Sequence, residues 1–244
     1  MNLVLINKEE SIQGIPGDDP RVEHLTQTVG LQINKTFFVG IKNGFRGLAT
    51  VKALGQKLIF IVEWEKEKQS PLPLQLLVGL PRPQTAKKIL YEAACLGIKK
   101  ICFFVSEKGD PGYLNSSLWR NNEWEDFLLR GAEQSCCCII PEVTHSSSLL
   151  ECLGLIDPAG WKAALDPYTA DKALRSNPSH FTSGTLAIGP ERGWSENERK
   201  LLKGGGFNFY HLGDRILRVE TAVVAGTSLM LSELNAWHPH KKIG

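Results

Sequence analysis

The sequence contains no apolar run long enough to cross a lipid bilayer. Its longest apolar stretch, residues 72–81, is interrupted by prolines and by Gln75, whereas a membrane-spanning helix needs about 20 mostly apolar residues in a row. Residues 1–6 contain no basic region ahead of an apolar core, so they do not indicate a secretory signal. Both absences favour a protein that works in the cytoplasm.

Dense clusters of one charge are also missing. The chain carries 28 Lys and Arg against 26 Asp and Glu, a formal net charge of +2, and its basic residues occur as pairs such as Lys87 and Lys88. Nucleic-acid-binding domains usually present a basic patch or stripe. Charge alone therefore argues against an RNA partner, although it permits one.

The six cysteines lack the spacing of a metal site. No Cys-x-x-Cys pair and no His-x-x-x-His pair accompanies the run at residues 136–138, and adjacent side chains on a strand point to opposite faces. We therefore expect no metal ion. The cysteines are interpreted as small, buried apolar side chains in a reducing compartment.

The first part of the chain has the character of a β-rich domain. A short helix or turn is predicted at residues 24–29, and strands are predicted at residues 36–41, 47–51 and 57–62. Asn43 and Gly44 are typical of a hairpin turn between the first two strands. The charged stretch at residues 63–70 then marks a boundary between domains at residues 1–68 and 72–244.

Strands and helices alternate in the second domain. Strands are predicted at residues 74–79, 100–105 and 137–140, and helices at residues 85–96 and 124–134. This alternation predicts a mostly parallel sheet with helices on both faces, which is the α/β class. Trp161, Trp194 and Trp237 are interpreted as core or interface residues.

A glycine-containing loop carries the first functional signal. Residues 188–198 read Ile-Gly-Pro-Glu-Arg-Gly-Trp-Ser-Glu-Asn-Glu and follow a short apolar strand at residues 185–188. Ser195 and Glu198 have the spacing of a capping box, which predicts a helix that starts near Glu196. We expect this helix to end at the three glycines that follow Lys203.

A second loop repeats the arrangement. Residues 212–222 read Leu-Gly-Asp-Arg-Ile-Leu-Arg-Val-Glu-Thr-Ala, between a predicted strand at residues 207–212 and a predicted helix at residues 220–236. Two strand–loop–helix units side by side form a crevice at the carboxyl ends of parallel strands, where open α/β sheets bind ligands.

These two segments resemble the RsmE-type family of 16S ribosomal RNA uridine-N3 methyltransferases, in the SPOUT superfamily of knotted methyltransferases. The family pattern is Ile-Gly-Pro-Glu-Gly-Gly-Phe-Ser-x-x-Glu, then Leu-Gly-x-Arg-Ile-Leu-Arg-x-Glu-Thr-Ala. The second segment matches at every specified position, and the first differs only at Arg192 and Trp194. Weaker similarity covers nearly the whole chain. The resemblance implies a PUA-like, barrel-like RNA-binding domain at residues 1–68 and a SPOUT domain with a trefoil knot at residues 72–244.

The resemblance also implies S-adenosyl-L-methionine as the methyl donor. The donor-binding residues that it implies are Leu165, Ile188, Gly189, Glu191, Gly193, Leu212, Gly213, Ile216 and Leu217. The glycines among them allow the backbone to turn sharply and to approach a ligand closely. Glu191 is equally compatible with a ligand-facing carboxylate and with a solvated loop charge.

The catalytic candidates are Arg215, Arg218 and Glu220. Methylation at N3 of a uridine removes the N3 proton and spreads negative charge over the flanking carbonyl oxygens, so a fixed positive charge is needed nearby. An arginine offers a planar fork that stays charged, and Glu220 either orients that fork or takes the proton. Without the resemblance, Arg218 and Glu220 would be interpreted as a structural pair that caps the last helix.

The partners implied by the resemblance are ribosomal RNA or the assembled small subunit, and a second copy of the chain. Small side chains in the helix at residues 220–236 suit close helix packing in such a homodimer. Departures from the family pattern include Cys95, Arg192 and the absence of arginine at residues 28–30. They leave open a SPOUT-fold paralogue that binds the donor but has another RNA target or no catalytic activity.

Overall fold

The computed structural model describes residues 3–175 and 181–237 of the protein. Its strands are β1 (Val4–Ile6), β2 (Ile15–Pro16), β3 (Thr36–Ile41), β4 (Arg46–Ala53), β5 (Lys57–Trp64), β6 (Leu72–Gly79), β7 (Ile98–Phe104), β8 (Glu142–Ser146), β9 (Trp161–Leu165), β10 (Gly184–Ile188) and β11 (Asn208–Tyr210). Its α-helices are α1 (Glu10–Gln13), α2 (Pro20–Glu23), α3 (Pro83–Cys95), α4 (Ser117–Arg120), α5 (Trp124–Gln134), α6 (Leu149–Leu153), α7 (Glu196–Gly204) and α8 (Val219–Glu233). A π-helix spans His24–Thr28 and a 3₁₀ helix spans Pro111–Asn115.

The chain divides into two compact units. Among the described residues, the first contains residues 3–70 and 129–140, and the second contains residues 71–128, 141–175 and 181–237. The predicted second domain extends to residue 244, and its residues 176–180 and 238–244 lie outside the described part of the chain.

The first unit is built on a five-stranded sheet in the order β1-β3-β4-β5-β2. β1 pairs with β3 in parallel, and the other pairs are antiparallel. The turn between β3 and β4 holds Asn43 at φ 54°, as the Asn-Gly signal predicts. Alternate residues of the strands point inward, so Val39, Ala49 and Leu58 are fully buried in the core of this unit.

The second unit is built on a six-stranded parallel sheet in the order β11-β9-β10-β6-β7-β8. Its central strands β6 and β10 are almost continuously apolar, because a parallel sheet with helices on both faces exposes neither side of such strands. The mixed α/β class is therefore confirmed. The register places Tyr210 beside Leu165, Leu165 beside Ile188, and Ile188 beside Val78. The carboxyl ends of β11, β9, β10 and β6 therefore meet at one edge of the sheet.

The strand predicted at residues 137–140 is wrong. Cys136 adopts a left-handed conformation with φ 56°, and the Cys137 N–H donates to Ala132 O, which closes the end of α5. The next N–H groups bond to side chains, from Cys138 to Gln69 and from Ile140 to Asn43, rather than to a strand. The strand that pairs with β7 at the edge of the sheet is β8, which starts at Glu142.

The helix α7 follows its sequence signals closely. Ser195 and Glu198 form the predicted capping box, and Gly206, at φ 84°, follows the end of the helix. The last helix, α8, packs against β10, β6 and α3 and ends earlier than predicted. Gly226 makes this packing close, because a β-carbon there would lie 2.9 Å from a methyl group of Leu186. No helix in the described ranges is long and apolar enough to span a membrane.

Candidate active site

A cleft of about 740 Å³ opens at the carboxyl-end edge of the parallel sheet. The segments that follow β6, β9, β10 and β11 form its walls, together with the first turns of α3 and α8. This is the edge at which open parallel sheets bind ligands. All but one of the predicted site residues line it: Leu165, Ile188, Gly189, Glu191, Gly193, Leu212, Arg215, Ile216, Leu217, Arg218 and Glu220.

The exception is Gly213, which is absent from the residues that line the cleft. Its φ of 103° is favourable only for glycine, and its N–H donates to His211 Nδ1 at 3.1 Å. A β-carbon at this position would meet no atom within 4 Å. Gly213 thus shapes the turn after β11, and a larger side chain there would strain the backbone rather than fill the cleft.

The loop after β10, residues 189–195, is fixed to its surroundings by Trp194. The indole is 1% exposed, stacks on Phe104 with ring centroids 6.0 Å apart, and donates from Nε1 to the carbonyl oxygen of Leu165 at 2.8 Å. This side chain therefore connects the loop after β10 to the ends of β9 and β7. The core interpretation is confirmed for Trp194 and for Trp161, which is also 1% exposed, whereas Trp237 is 51% exposed.

Glu198 secures the other end of the same loop. Its carboxylate accepts hydrogen bonds from the N–H groups of Ser195 at 2.8 Å and Glu107 at 3.1 Å, and it is 1% exposed. Lys108 adds a bond from its ammonium group to Trp194 O at 2.8 Å. The capping box thus also joins the loop after β10 to the loop after β7.

Glu191 has a contact that neither sequence interpretation foresaw. Its Oε1 accepts a hydrogen bond from the backbone N–H of Arg82 at 3.1 Å. Arg82 precedes the first turn of α3 and provides no side-chain cap of its own. The carboxylate therefore lies on the cleft and also connects the loop after β10 to the start of α3.

Gly79 permits a close approach between two of the cleft segments. It ends β6, and a β-carbon there would lie 2.7 Å from the backbone nitrogen of Pro190. Real β-carbons essentially never come so near to backbone atoms. Glycine is therefore required for Pro190 to lie against the end of β6.

A buried carboxylate follows β9. Asp166 is 1% exposed and accepts hydrogen bonds from Arg199 Nε at 2.6 Å, from the Thr169 hydroxyl at 2.7 Å and from the Tyr168 N–H at 3.1 Å. Burial acts to raise the pKa of Asp166, but these hydrogen bonds and the charge of Arg199 outweigh burial, so the pKa is lowered. Asp166 therefore stays ionised and holds Tyr168 at the cleft.

Glu220 forms an ion pair with Lys88, a residue of α3, at 3.1 Å. Burial acts to raise the pKa of Glu220, yet hydrogen bonds from its own N–H and from Lys88 lower it further than burial raises it, with help from the charges of Lys88 and Arg218. Arg218 precedes α8 with an exposed side chain. Within residues 3–175 and 181–237, no ion pair joins Arg218 to Glu220, so the interpretation of a helix-capping pair does not hold there.

Four polar or charged residues of the cleft that sequence reasoning missed bear on its chemistry: Arg82, Lys88, Asp166 and Tyr168. Lys88 belongs to α3 and Arg82 directly precedes it, far from both motif loops in the chain, and no local pattern marks them as part of a site. Asp166 and Tyr168 follow β9, a strand that was not predicted. A polar residue directly after a buried strand was the available signal for Asp166. Among the described residues, no group of three or more His, Cys, Asp and Glu is arranged to hold a metal ion.

Comparisons with known proteins agree with this geometry. The family model for an RNA methyltransferase domain matches residues 68–231, which include the whole cleft. The ribosomal RNA small subunit methyltransferase E of Treponema pallidum is 33% identical over 247 aligned positions, which cover 97% of this chain and 93% of the relative. The chain belongs to this methyltransferase E family.

Other members support the assignment. Ribosomal RNA small subunit methyltransferase E 1 of Borreliella burgdorferi is 31% identical over 235 positions, which cover 96% of this chain and 99% of the relative. The crystal structure of the methyltransferase E of Neisseria gonorrhoeae, bound to S-adenosyl methionine, superposes with a TM-score of 0.77 at 23% identity. It covers 95% of this chain and 97% of its own, so the fold is shared. A nearly neutral net charge is thus compatible with membership of an RNA methyltransferase family.

Proposed function

We propose that the protein transfers a methyl group from S-adenosyl-L-methionine to N3 of a uridine in 16S ribosomal RNA of the small subunit. One observation carries the proposal: both motif loops lie on one cleft, with the exposed Arg218 at its wall. Membership of the methyltransferase E family supports the same reaction class.

The cleft fits S-adenosyl-L-methionine in size and in chemistry. Its volume of about 740 Å³ is within the range of roughly 300–1,000 Å³ that is usual for small-molecule sites. Leu165, Ile188 and Leu217 provide apolar walls for a flat ring, while Gly189 and Gly193 have no side chain to keep a ligand away from the backbone. When bound, the donor supplies an electrophilic methyl group on a sulfonium centre.

Arg218 is assigned to the charge that develops on uracil. Loss of the N3 proton leaves negative charge on the two carbonyl oxygens, and a guanidinium group can donate a hydrogen bond to such an oxygen or two parallel hydrogen bonds to a phosphate. Arg215, which is exposed on the same wall, is assigned to the RNA backbone next to the target. Because the side chain of Arg218 forms no ion pair with any carboxylate in the described ranges, it is free to bind the substrate.

Glu220 is assigned an orienting role. The two roles left open by the sequence were proton acceptor and partner of the arginine. A carboxylate whose pKa is lowered and which already accepts a hydrogen bond from Lys88 is a weak base. We therefore infer that Glu220 fixes the electrostatic surroundings of Arg218, and that the N3 proton is released to a base of the bulk solvent, such as hydroxide or buffer.

The remaining proposals concern assembly. Residues 1–68 are proposed to bind RNA as a PUA-like domain, and the C-terminal domain is proposed to contain a trefoil knot and to form a homodimer. The knot is supported by the path of the chain, which runs from β10 through the edge strand β11 and returns to pack α8 on β10 and β6. Gly226 and Thr227 are buried within the chain, so a dimer contact through α8 would use its partly exposed Ala222, Ala225 and Ser228. Light scattering of the purified protein tests the dimer.

Primer extension on ribosomal RNA tests the central proposal. A methyl group at N3 blocks the Watson–Crick edge, so reverse transcriptase should stop beside the modified uridine. Small subunits from a strain that lacks this gene should give no stop, and incubation with protein and donor should restore one. Methylation at another atom or in another RNA would contradict the uridine-N3 assignment and support a relative with a different target.

Calorimetry with S-adenosyl-L-methionine tests donor binding separately. Binding without methyl transfer to any small-subunit RNA would favour the paralogue that keeps the donor site but lacks activity. Absence of donor binding by the wild-type protein would refute the assignment of the cleft itself.

A further inference from the structure

An exposed aromatic side chain lies at the cleft on a firmly held loop. Tyr168 is 65% exposed and lines the cleft. Its ring lies beside the loop after β10, because a β-carbon on Gly193 would be 3.6 Å from Tyr168 Cε2. In the part of the chain that is described, no other aromatic ring packs on Tyr168 and no hydrogen bond engages its hydroxyl group.

The backbone of Tyr168 is held by the buried carboxylate of Asp166. Asp166 accepts the Tyr168 N–H and the Thr169 hydroxyl, and Arg199 neutralises it from α7. A buried carboxylate is costly unless it is paired and fully hydrogen-bonded, as Asp166 is. The loop therefore presents a large flat ring to solvent in a defined place, rather than on a loose segment.

A flat, exposed, well-placed ring beside a methyl-donor site suits a nucleobase. Enzymes that modify a base must take it out of its stack, and they commonly hold the unstacked base against an aromatic face. A small molecule such as the methyl donor is usually 70–90% buried by its pocket, whereas a base that arrives from solution first contacts exposed residues at the open side of the cleft, here called its mouth. Tyr168 is exposed at that mouth.

We infer that Tyr168 is a stacking platform for the base that is methylated. The inference rests on the proposed function and adds a residue that binds RNA rather than donor. The ring of Tyr168 packs on one face of an unstacked pyrimidine, while Arg218 donates hydrogen bonds to the carbonyl oxygens at the edge of the same base. Tyr168 thus contributes to the affinity for the substrate and to the choice of an unpaired base.

Two substitutions of Tyr168 and one matched control test this role. Tyr168→Ala removes the ring, and Tyr168→Phe keeps it without the hydroxyl group. Tyr113→Ala is the control, because Tyr113 is a partly exposed tyrosine of the same unit that does not line the cleft. The measurements are the KM for unmodified small-subunit RNA, the Kd for S-adenosyl-L-methionine by calorimetry, and the melting temperature.

We expect Tyr168→Ala to raise the KM for RNA by about tenfold or more, which is the scale of one lost base–aromatic stack. The Kd for donor and the melting temperature should stay close to the wild-type values. Tyr168→Phe and Tyr113→Ala should behave like the wild type. A Tyr168→Ala variant with weakened donor binding and an unchanged KM for RNA would show that the ring covers the donor, and this result would overturn the inference.

The failure of this inference is distinguishable from failure of the proposed function. If the wild type binds the methyl donor but methylates no small-subunit RNA, the proposed reaction fails. The affinity for a single-stranded oligonucleotide of uridines, measured by titration, still tests whether Tyr168 stacks on a base. Weaker oligonucleotide binding by Tyr168→Ala, restored in Tyr168→Phe, supports the platform. Equal binding by all three proteins refutes it.

Discussion

Arg218 and Glu220 show how position in space changes the interpretation of two neighbouring charges. Their proximity in the sequence permits a mutual ion pair, but Glu220 instead binds Lys88 from α3. Arg218 therefore keeps its guanidinium group available at the cleft wall. The sequence alone could not decide this, because nothing near Lys88 links it to the second motif.

Replacement of Arg218 should affect turnover and leave the fold intact. Arg218→Ala should lower turnover by about a hundredfold or more, which is the scale for loss of a preorganised hydrogen-bond donor at developing negative charge. Arg218→Lys should recover little of it, since an ammonium group does not reproduce the planar fork. Turnover, donor affinity and melting temperature should be measured on one preparation. A destabilised variant with full activity per folded molecule would exclude the catalytic role.

The indole N–H of Trp194 should contribute both to stability and to donor binding. Trp194→Phe keeps a stacking ring but removes the hydrogen bond to the Leu165 carbonyl oxygen. The free energy of unfolding should fall by about 1–3 kcal/mol if that oxygen stays buried. Because Leu165 lines the cleft, the Kd for donor should also rise severalfold. Urea unfolding and calorimetry measure the two effects.

Trp119→Phe is the matched control for this change. Trp119 is also buried, at 6% exposure, but its Nε1 has no hydrogen-bond partner among the described residues. Both variants lose the same ring volume, and only Trp194→Phe loses a hydrogen bond. Equal unfolding free energies and equal donor affinities in the two variants would show that the indole hydrogen bond has no role in the site.

At the level of secondary structure elements, the sequence was most informative where side chains determine the local conformation. The capping box of Ser195 and Glu198 and the Asn43 turn specify their own geometry, so α7 and the first hairpin were predicted well. β8 reads Glu-Val-Thr-His-Ser and has little apolar signal, since it lies at the edge of the sheet. The apolar run before it misled the prediction, because Cys136 turns the backbone into a helix end.

The approach of β6 to the loop after β10 gives an element-level prediction. Gly79→Ala would put a β-carbon 2.7 Å from the Pro190 nitrogen, so this loop must shift. The affinity for the methyl donor should fall by about tenfold, which corresponds to a loss of about 1.4 kcal/mol of binding free energy. Gly204→Ala, at the end of α7, is the control, since its β-carbon meets nothing within 4 Å. Calorimetry that gives the same Kd for both variants would contradict the proposed role of this contact.

At the scale of the whole molecule, the meeting of the two motif loops was predictable because parallel strands bring their carboxyl ends to one edge. The two motif loops were assigned to the site on their resemblance to a family, and the sheet places them on the same cleft. Contributions from the segments after β6 and β9 were missed, apart from Leu165, because strand order cannot be read from the sequence. β10 lies between β6 and β9, although long segments separate all three in the chain.

Stability should decline in acid partly because of Asp166. Its pKa is lowered in the folded protein, so the folded state binds a proton less readily than the unfolded chain. Its contribution is therefore present above the unfolded pKa of about 3.9 and is lost as the pH falls through the folded value. Urea unfolding followed by tryptophan fluorescence reports mainly on the second unit, where Trp119, Trp161 and Trp194 are buried, whereas Trp64 of the first unit is 38% exposed. Asp166→Asn should be less stable at neutral pH and should show a flatter acid dependence, whereas an unchanged slope would contradict this assignment.

The distribution of the cleft walls along the chain has a consequence for biosynthesis. The walls come from residues 82–88, 165–168, 188–194 and 210–222, and a nascent chain emerges from its N-terminus. Until the start of α8 has been synthesised, the wall that carries Arg218 is missing. A growing or prematurely terminated chain therefore cannot assemble the complete site, and methyl transfer becomes possible only after the chain has been made as far as Ala222.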